Sequence, residues 1–169
     1  MPQTRSYMDE YRDFTYSKAH FADLPHYINE TKERHNLRWT LILDPAIQAD
    51  KGQSYSVFAE GYRRDVFIKW PKELAANSSA IGHPRNAPAD KGVLYGKVWP
   101  NGPAAFPDFF KNSTVYWWKE MIKSLHGDLK FDALWIVGAL SVIKKSCVPL
   151  MTPALISLIF QGHERAEQL

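Results

Sequence analysis

The sequence predicts an α/β fold built on a parallel sheet. At two places along the chain, a segment with helical spacing of apolar residues is followed by a short, mostly apolar segment of strand length. This is the order of elements in βαβ units. The length of 169 residues fits one domain, and the 45% share of apolar residues is typical of a globular core.

The first helix and strand lie near the N-terminus. Asp23 is a suitable N-cap, Pro25 suits a first helical turn, and the helix is predicted to end at about His35. Residues 38–43 (RWTLIL) form the predicted strand. It ends before Pro45, because proline has no backbone N–H and disfavours helical backbone at the preceding residue. The helix is indicated by residues three or four apart on one face, namely Leu24, Tyr27, Ile28 and Thr31.

Extended segments occupy the middle of the chain. Residues 66–70 (VFIKW) and 93–99 (VLYGKVW) are predicted strands, and a long surface excursion rich in small residues and proline separates them at 72–91. Residues 100–103 (PNGP) form a predicted turn.

A second long helix precedes the last predicted strand, residues 131–136 (FDALWI). Thr114 is the expected N-cap, and Gly127 is expected beyond the helix end. The predicted buried stripe consists of Trp118, Met121, Ile122 and Leu125.

The chain changes character at Val137. Residues 137–169 show no clear periodicity, and prolines interrupt their most apolar part. We therefore predict two parts, an α/β part at 1–136 and a divergent tail at 137–169. The apolar stretch 137–160 contains two lysines and two prolines, so we predict no membrane span.

Composition and motifs argue against several classes of function. The net charge of +3 is spread along the chain, which does not predict a nucleic-acid partner. A single cysteine excludes a disulfide framework and an all-thiolate zinc site. The histidines lack metal-binding spacing, and the glycines form no phosphate-binding loop. We expect no metal and no nucleotide cofactor.

Function in parallel α/β folds gathers at the carboxyl ends of the strands. Candidates there are Asp44 after the first strand, Asp108 after the 100–103 turn, and Trp135 within the last strand. Each also has a structural interpretation. An aspartate before proline is typical of a turn, Asp108 can cap a helix, and residues within apolar strands, such as Ile42 and Trp135, are typical of a core.

Six motifs between Tyr7 and Ile136 resemble glycoside hydrolase family 31, in particular α-glucosidases of the maltase-glucoamylase and sucrase-isomaltase type. The resemblance implies a segment of a (β/α)8 TIM barrel with about three to four strands. The motifs are Tyr7-Met8-Asp9 with Asp13-Phe14-Thr15, ILDPAI (42–47), VFIKWP (66–71), GKVWP (96–100), AFPDF (105–109) and FDALWI (131–136).

The resemblance also implies retaining hydrolysis of terminal α-linked glucose from maltose-like oligosaccharides, with two carboxylates and no cofactor. The family nucleophile is the aspartate two residues after the Trp of the last motif, and Val137 holds that position here. The acid/base aspartate is expected further along the barrel, outside these 169 residues. We therefore expect no catalytic residue in this chain and no hydrolysis by the chain alone.

The same resemblance implies that part of a glucose subsite is retained. Its lining residues are Ile42, Asp44, Trp99 and Trp135, whereas Thr4 stands where the family usually carries an acidic, sugar-binding residue. Indole faces suit the C–H surface of a sugar, and a carboxylate accepts hydroxyl hydrogen bonds. One alternative function is a non-catalytic carbohydrate-binding module.

A partial barrel leaves strands without neighbours, so we expect a marginally stable product when the chain is alone. The second alternative is an interaction protein that docks with a full-length relative through open strand edges. Family members are mostly secretory, lysosomal or at the cell surface, whereas residues 1–10 lack the apolar stretch of a signal peptide, so no compartment is predicted. Sequons that permit glycosylation in a secretory chain occur at Asn29, Asn77 and Asn112.

Overall fold

The computed structural model describes residues 6–49, 54–70, 92–96, 98 and 100–136. The predicted excursion at 72–91 and the predicted tail at 137–169 lie outside the described residues. Within them, the helices are α1 (Leu24–His35), α2 (Ser56–Arg63) and α3 (Asn112–Asp128). The strands are β1 (Thr40–Leu43), β2 (Ile47–Gln48), β3 (Tyr95–Gly96), β4 (Ala104–Ala105) and β5 (Ala133–Ile136).

The predicted strands at 38–43 and 131–136 both form, as β1 and β5, and they pair in parallel. Thr40 lies opposite Ala133, and Ile42 lies opposite Trp135. Leu41 and Leu43 are buried, whereas Thr40 and Ile42 are exposed. This alternation places one face of β1 against the helices and leaves the other face open.

Helices α1 and α3 cover the buried face of this strand pair. Leu41 belongs to an apolar cluster with Ile28 of α1 and Leu125 of α3. Leu43 belongs to a second cluster that includes Trp117 of α3. The helices therefore lie on the same side of the sheet, as they do on the outside of a (β/α)8 barrel.

Helix α1 confirms the predicted bounds. It begins after Asp23, carries Pro25 in its first turn and ends at His35, where Asn36 adopts a left-handed conformation (φ 51°). The Asp23 side chain makes no capping hydrogen bond, so its position as N-cap is correct but the expected capping contact is absent.

Helix α3 differs from its prediction at both ends. It begins at Asn112, and Thr114 lies buried in its first turn, where its hydroxyl donates to the Val66 carbonyl at 3.0 Å. The expected capping role of Thr114 is therefore wrong. Gly127 lies within the helix, which continues to Asp128. In the predicted stripe, Trp118 and Leu125 are buried and Met121 and Ile122 are partly buried.

The predicted strands at 66–70 and 93–99 are mostly irregular. Phe67 and Lys69 form isolated bridges to Pro107 and Val93, and β3 is the only regular strand among the described residues of the second segment. This segment divides its backbone hydrogen bonds between two partners: the Ile68 N–H donates to the Phe106 carbonyl, whereas the Ile68 carbonyl accepts the Leu94 N–H. Neither pairing therefore extends into a longer ladder. β3 pairs with β4, which also pairs with β2, in a small antiparallel sheet.

An aromatic core joins α2 to α3. Phe58 stacks on Phe67 with 5.4 Å between ring centroids, and Phe67 meets Trp117 edge-on at 5.9 Å. Gly61 of α2 faces both: a Cβ there would lie 2.8 Å from Phe67 Cζ and 3.0 Å from a Trp117 ring carbon. Helix α2 was not predicted, and neither was the burial of Trp117, which is 0% exposed.

In the described part of the chain, the helices are too short or too polar to cross a membrane. The apolar stretch 137–160 lies outside that part. The same residues hold no group of three or more metal-ligating side chains.

Candidate functional site

The open face of the β1–β5 pair carries two large apolar side chains. Ile42 and Trp135 are register partners and are 43% and 63% exposed. Because register partners in a parallel pair point to the same face, both lie on the face opposite α1 and α3. An exposed pair of this size is a candidate contact surface for a ligand.

Asp44 lies at the carboxyl end of β1, one residue beyond the strand. It is half-buried, and this burial raises the pKa of its carboxyl group. Its backbone N–H donates to Oδ1 of Asp13 at 2.8 Å. The carboxyl group of Asp13 therefore fixes the backbone of Asp44.

Asp13 is fully buried beneath this edge (0% exposed). The hydroxyl of Tyr55 donates to the Asp13 carbonyl at 2.6 Å. Burial raises the pKa of Asp13 well above its usual range; the hydrogen bond from Asp44 opposes the shift, and the charge of Asp44 adds to it.

Tyr7 contacts the same strand from the N-terminal segment. Its hydroxyl donates to the Ile42 carbonyl at 2.7 Å. Burial raises the pKa of Tyr7, and the nearby charges of Asp13 and Asp44 raise it further. The phenol therefore stays protonated and remains a donor.

The structure describes three of the four predicted subsite residues. Ile42 and Trp135 are register partners, and Asp44 lies two residues after Ile42, just beyond the end of β1. Trp99 and Val137 lie outside the described residues. Asp108, the remaining strand-end candidate, accepts the backbone N–H of Phe110 at 3.2 Å, as a local turn residue does.

This edge offers contacts of the kind that bind a neutral, hydroxyl-rich ring. A Trp face and an aliphatic side chain give an apolar surface, and Asp44 gives an acceptor beside it. The sequence model of the TIM-barrel domain of glycosyl hydrolases family 31 matches residues 4–150.

The chain belongs to glycosyl hydrolase family 31.

Curated relatives agree with this assignment. Lysosomal alpha-glucosidase of Mus musculus is 38% identical over 131 residues, a match that covers 77% of this chain and 12% of the relative. Intestinal sucrase-isomaltase of Homo sapiens is 32% identical over 151 residues, covering 77% and 7%. Probable maltase-glucoamylase 2 of Homo sapiens is 36% identical over 157 residues, covering 77% and 5%.

Solved structures show the same fold. The glucosidase II alpha subunit, in a form bound to DNJ and in a form bound to Glc1Man2, matches with a TM-score of 0.57 and 24% identity. Each match covers 77% of this chain and 12% of that subunit. The predicted fold class, part of a (β/α)8 barrel, is confirmed. The chain spans about an eighth or less of the length of these family 31 proteins. The predicted boundary at residue 136 stays a prediction.

The family 31 fold indicates which part of a barrel the open face of β1 and β5 belongs to. In a (β/α)8 barrel the helices lie outside, so the face of β1 and β5 opposite α1 and α3 is the one that lines the barrel interior. Active sites of such barrels lie at the carboxyl ends of the strands. Ile42 and Trp135 lie on the interior face of this barrel segment, and Asp44 lies at the carboxyl end of β1.

Three residues near Asp44 and the end of β1 had no predicted role. Tyr7 and Asp13 belong to the family motifs, and Tyr55 lies outside them. The burial of Asp13 and its bonds to Asp44 and Tyr55 become visible only in the structure.

Proposed function

We propose that this chain forms part of the glucose-binding wall of a family 31 α-glucosidase barrel and that the chain alone does not hydrolyse glycosides. The expected ligand is the terminal α-linked glucose of maltose-like oligosaccharides. Ile42, Asp44 and Trp135 are its contacts, together with Trp99. The observation that carries the proposal is the register that sets Ile42 beside Trp135, with Asp44 at the end of the strand.

The contacts suit a sugar because they combine two kinds of surface. A pyranose ring presents C–H groups to an aromatic face and hydroxyl groups around its rim. The exposed indole of Trp135 can contact the C–H groups, and the Asp44 carboxylate can accept hydrogen bonds from the hydroxyl groups. Neither contact needs a metal or a cofactor.

The expected lack of hydrolysis follows from the residue at position 137. Retaining glycosidases need a nucleophile and an acid/base carboxyl group about 5–5.5 Å apart. In the family motif the nucleophile stands two residues after the Trp of the last strand, and this chain has Val137 there. An aliphatic side chain cannot form a glycosyl-enzyme bond.

The test is a titration of the full chain with maltose, followed by tryptophan fluorescence, beside an assay with a chromogenic maltoside. We expect saturable quenching and no sugar release above the blank. Trp135→Ala should abolish the saturable signal. Tyr116→Ala removes another exposed aromatic side chain, from α3, and should leave binding unchanged. Absence of saturable binding, or equal loss in both variants, would contradict the proposal.

A second candidate function is association with a full-length relative. Among the described residues, β5 pairs only with β1, so its other edge is free to accept a strand. The end of β1 is less available, because the Ile42 carbonyl and the Asp44 N–H are already bonded to Tyr7 and Asp13. Co-purification with such a relative, lost when a proline replaces Leu134, would favour this role.

A further inference from the structure

We propose that Asp13 is a positioning residue for Asp44: by holding the Asp44 backbone N–H, it sets the direction in which the Asp44 carboxylate meets a sugar hydroxyl. This inference rests on the proposed function, because Asp44 binds sugar only if the edge of the β1–β5 pair receives one. Asp13 is too deeply buried to meet a ligand itself.

Asp44 lies beyond the backbone hydrogen-bond ladder of the β1–β5 pair. Asp44 follows the last residue of β1, and the next residue, Pro45, has no N–H to donate. The 2.8 Å hydrogen bond to Asp13 therefore holds the chain where the strand ladder has ended. Pro45 also restricts Asp44 to extended backbone. The hydrogen bond to Asp13 thus fixes the N–H of Asp44, and Pro45 limits the backbone angles of Asp44.

Asp13 is itself held firmly. The buried hydroxyl of Tyr55 donates to its carbonyl at 2.6 Å. The next residue, Phe14, has a φ of 61°, a left-handed conformation that aromatic residues rarely adopt. Its ring packs edge-on against Trp118 with 4.8 Å between centroids, which keeps this conformation in place. Backbone strain of this kind clusters at functional sites.

The protonation of Asp13 fits a holding role. Burial raises the pKa of its carboxyl group, and Oδ2 has no hydrogen-bond partner among the residues that the structure describes. A buried unpaired charge is costly, so the neutral form is favoured. Neutral Asp13 still accepts the Asp44 N–H through Oδ1, so the contact does not require a charge on Asp13. Asparagine, which keeps an oxygen at that place, can then replace Asp13, whereas alanine cannot.

The experiment compares wild type, Asp13→Asn and Asp13→Ala in maltose titrations of the full chain, with the hydrogen-exchange rate of the Asp44 amide measured by NMR. We expect Asp13→Ala to bind maltose about tenfold more weakly and to lose Asp44 amide protection. Asp13→Asn should bind within about twofold of wild type and keep the protection.

Thr114→Val is the matched control. It also removes one buried hydrogen bond, from the Thr114 hydroxyl to the Val66 carbonyl, but not one made to Asp44. It should lower stability without changing maltose affinity or Asp44 exchange. If Asp13→Ala does not fold, Asp13→Ser takes its place, since its shorter side chain cannot reach the Asp44 N–H.

The other possible outcomes contradict the positioning role of Asp13, and they also show whether the proposed function fails with it. Maltose binding that is equal in wild type and Asp13→Ala, or equally weak in Asp13→Asn and Asp13→Ala, overturns the positioning role and leaves the proposed function standing. An unprotected Asp44 amide in wild type overturns the positioning role without any variant. If wild type binds no maltose although its Asp44 amide is protected, the proposed function fails and the role of Asp13 fails with it.

Discussion

Asp132 and Trp39 hold each other by two hydrogen bonds at the start of the parallel strand pair. The Asp132 backbone N–H donates to the Trp39 carbonyl at 2.8 Å, and the Trp39 backbone N–H donates to the Asp132 carboxylate at 2.9 Å. The ammonium of Lys32, on α1, reaches the same carboxylate at 2.9 Å. One side chain thus joins a helix to the residues that precede both strands.

Asp132→Ala should therefore lower the free energy of unfolding by about 1.5–3 kcal/mol, because it removes hydrogen bonds to a charged group. Urea denaturation at neutral pH measures this loss. Glu30→Gln is the control, since it weakens an exposed ion pair with Arg34 and should cost about 0.5 kcal/mol or less. Equal losses in the two variants would show that Asp132 is no more than a surface charge.

The same carboxylate should make stability depend on pH. Burial alone would raise the pKa of Asp132. The hydrogen bonds from the Trp39 N–H and the Lys32 ammonium lower it by a larger amount in total, so the pKa lies below its ordinary value. A folded-state pKa below the unfolded value of about 4 gives stabilisation that is present above that pH and lost as the pH falls. Asp132→Asn should lose less stability between about pH 6 and about pH 3 than wild type. Parallel pH curves would contradict this.

Two glycine substitutions should have opposite effects. Gly61→Ala places a methyl group 2.8 Å from Phe67 Cζ and should destabilise the fold by about 1–3 kcal/mol. Gly127→Ala, within α3, adds a Cβ that meets no described atom within 4 Å apart from its chain neighbours and the backbone of its own helix, and it should stabilise the fold by about 0.5–1 kcal/mol through helix propensity. Thermal unfolding of both variants checks this. A gain in Tm for Gly61→Ala would be inconsistent with the described packing.

Two tryptophans should separate folding from binding. Trp117→Ala empties the centre of the aromatic core and should cost about 3–5 kcal/mol. Trp135→Ala removes a side chain that is 63% exposed, so the cost to stability should stay below about 1 kcal/mol, although sugar binding is lost. Denaturation curves and maltose titrations on the same preparations check both. A large stability loss in Trp135→Ala would place this side chain in the core.

Local patterns were enough to predict α1, β1 and β5. Apolar spacing and Pro45 gave bounds within one or two residues of those in the structure. The small antiparallel sheet has strands of two residues, which are too short to show a period. The start of α3 was misplaced because a Thr near a helix start resembles a cap, whereas the Thr114 hydroxyl is bonded to Val66, 48 residues away.

The candidate site was only partly predictable, for a related reason. Taken by themselves, Ile42 and Trp135 occur in apolar segments that are typical of a core, and only the pairing of distant strands shows that both are exposed. The bonds from Asp44 to Asp13 and from Tyr55 to Asp13 join residues 31 and 42 positions apart. No local pattern reports contacts at such separations.

Side chains alternate between the two faces of a strand, so the number of residues between Asp132 and Trp135 decides which face Trp135 occupies. One residue inserted between Asp132 and Ala133 would rotate the indole toward α3 and turn its neighbour Leu134 outward, whereas two inserted residues would return the indole to its present side. Natural relatives and engineered variants should therefore tolerate length changes at this junction in pairs, and a single-residue change should erase ligand recognition while leaving every contact residue in the chain.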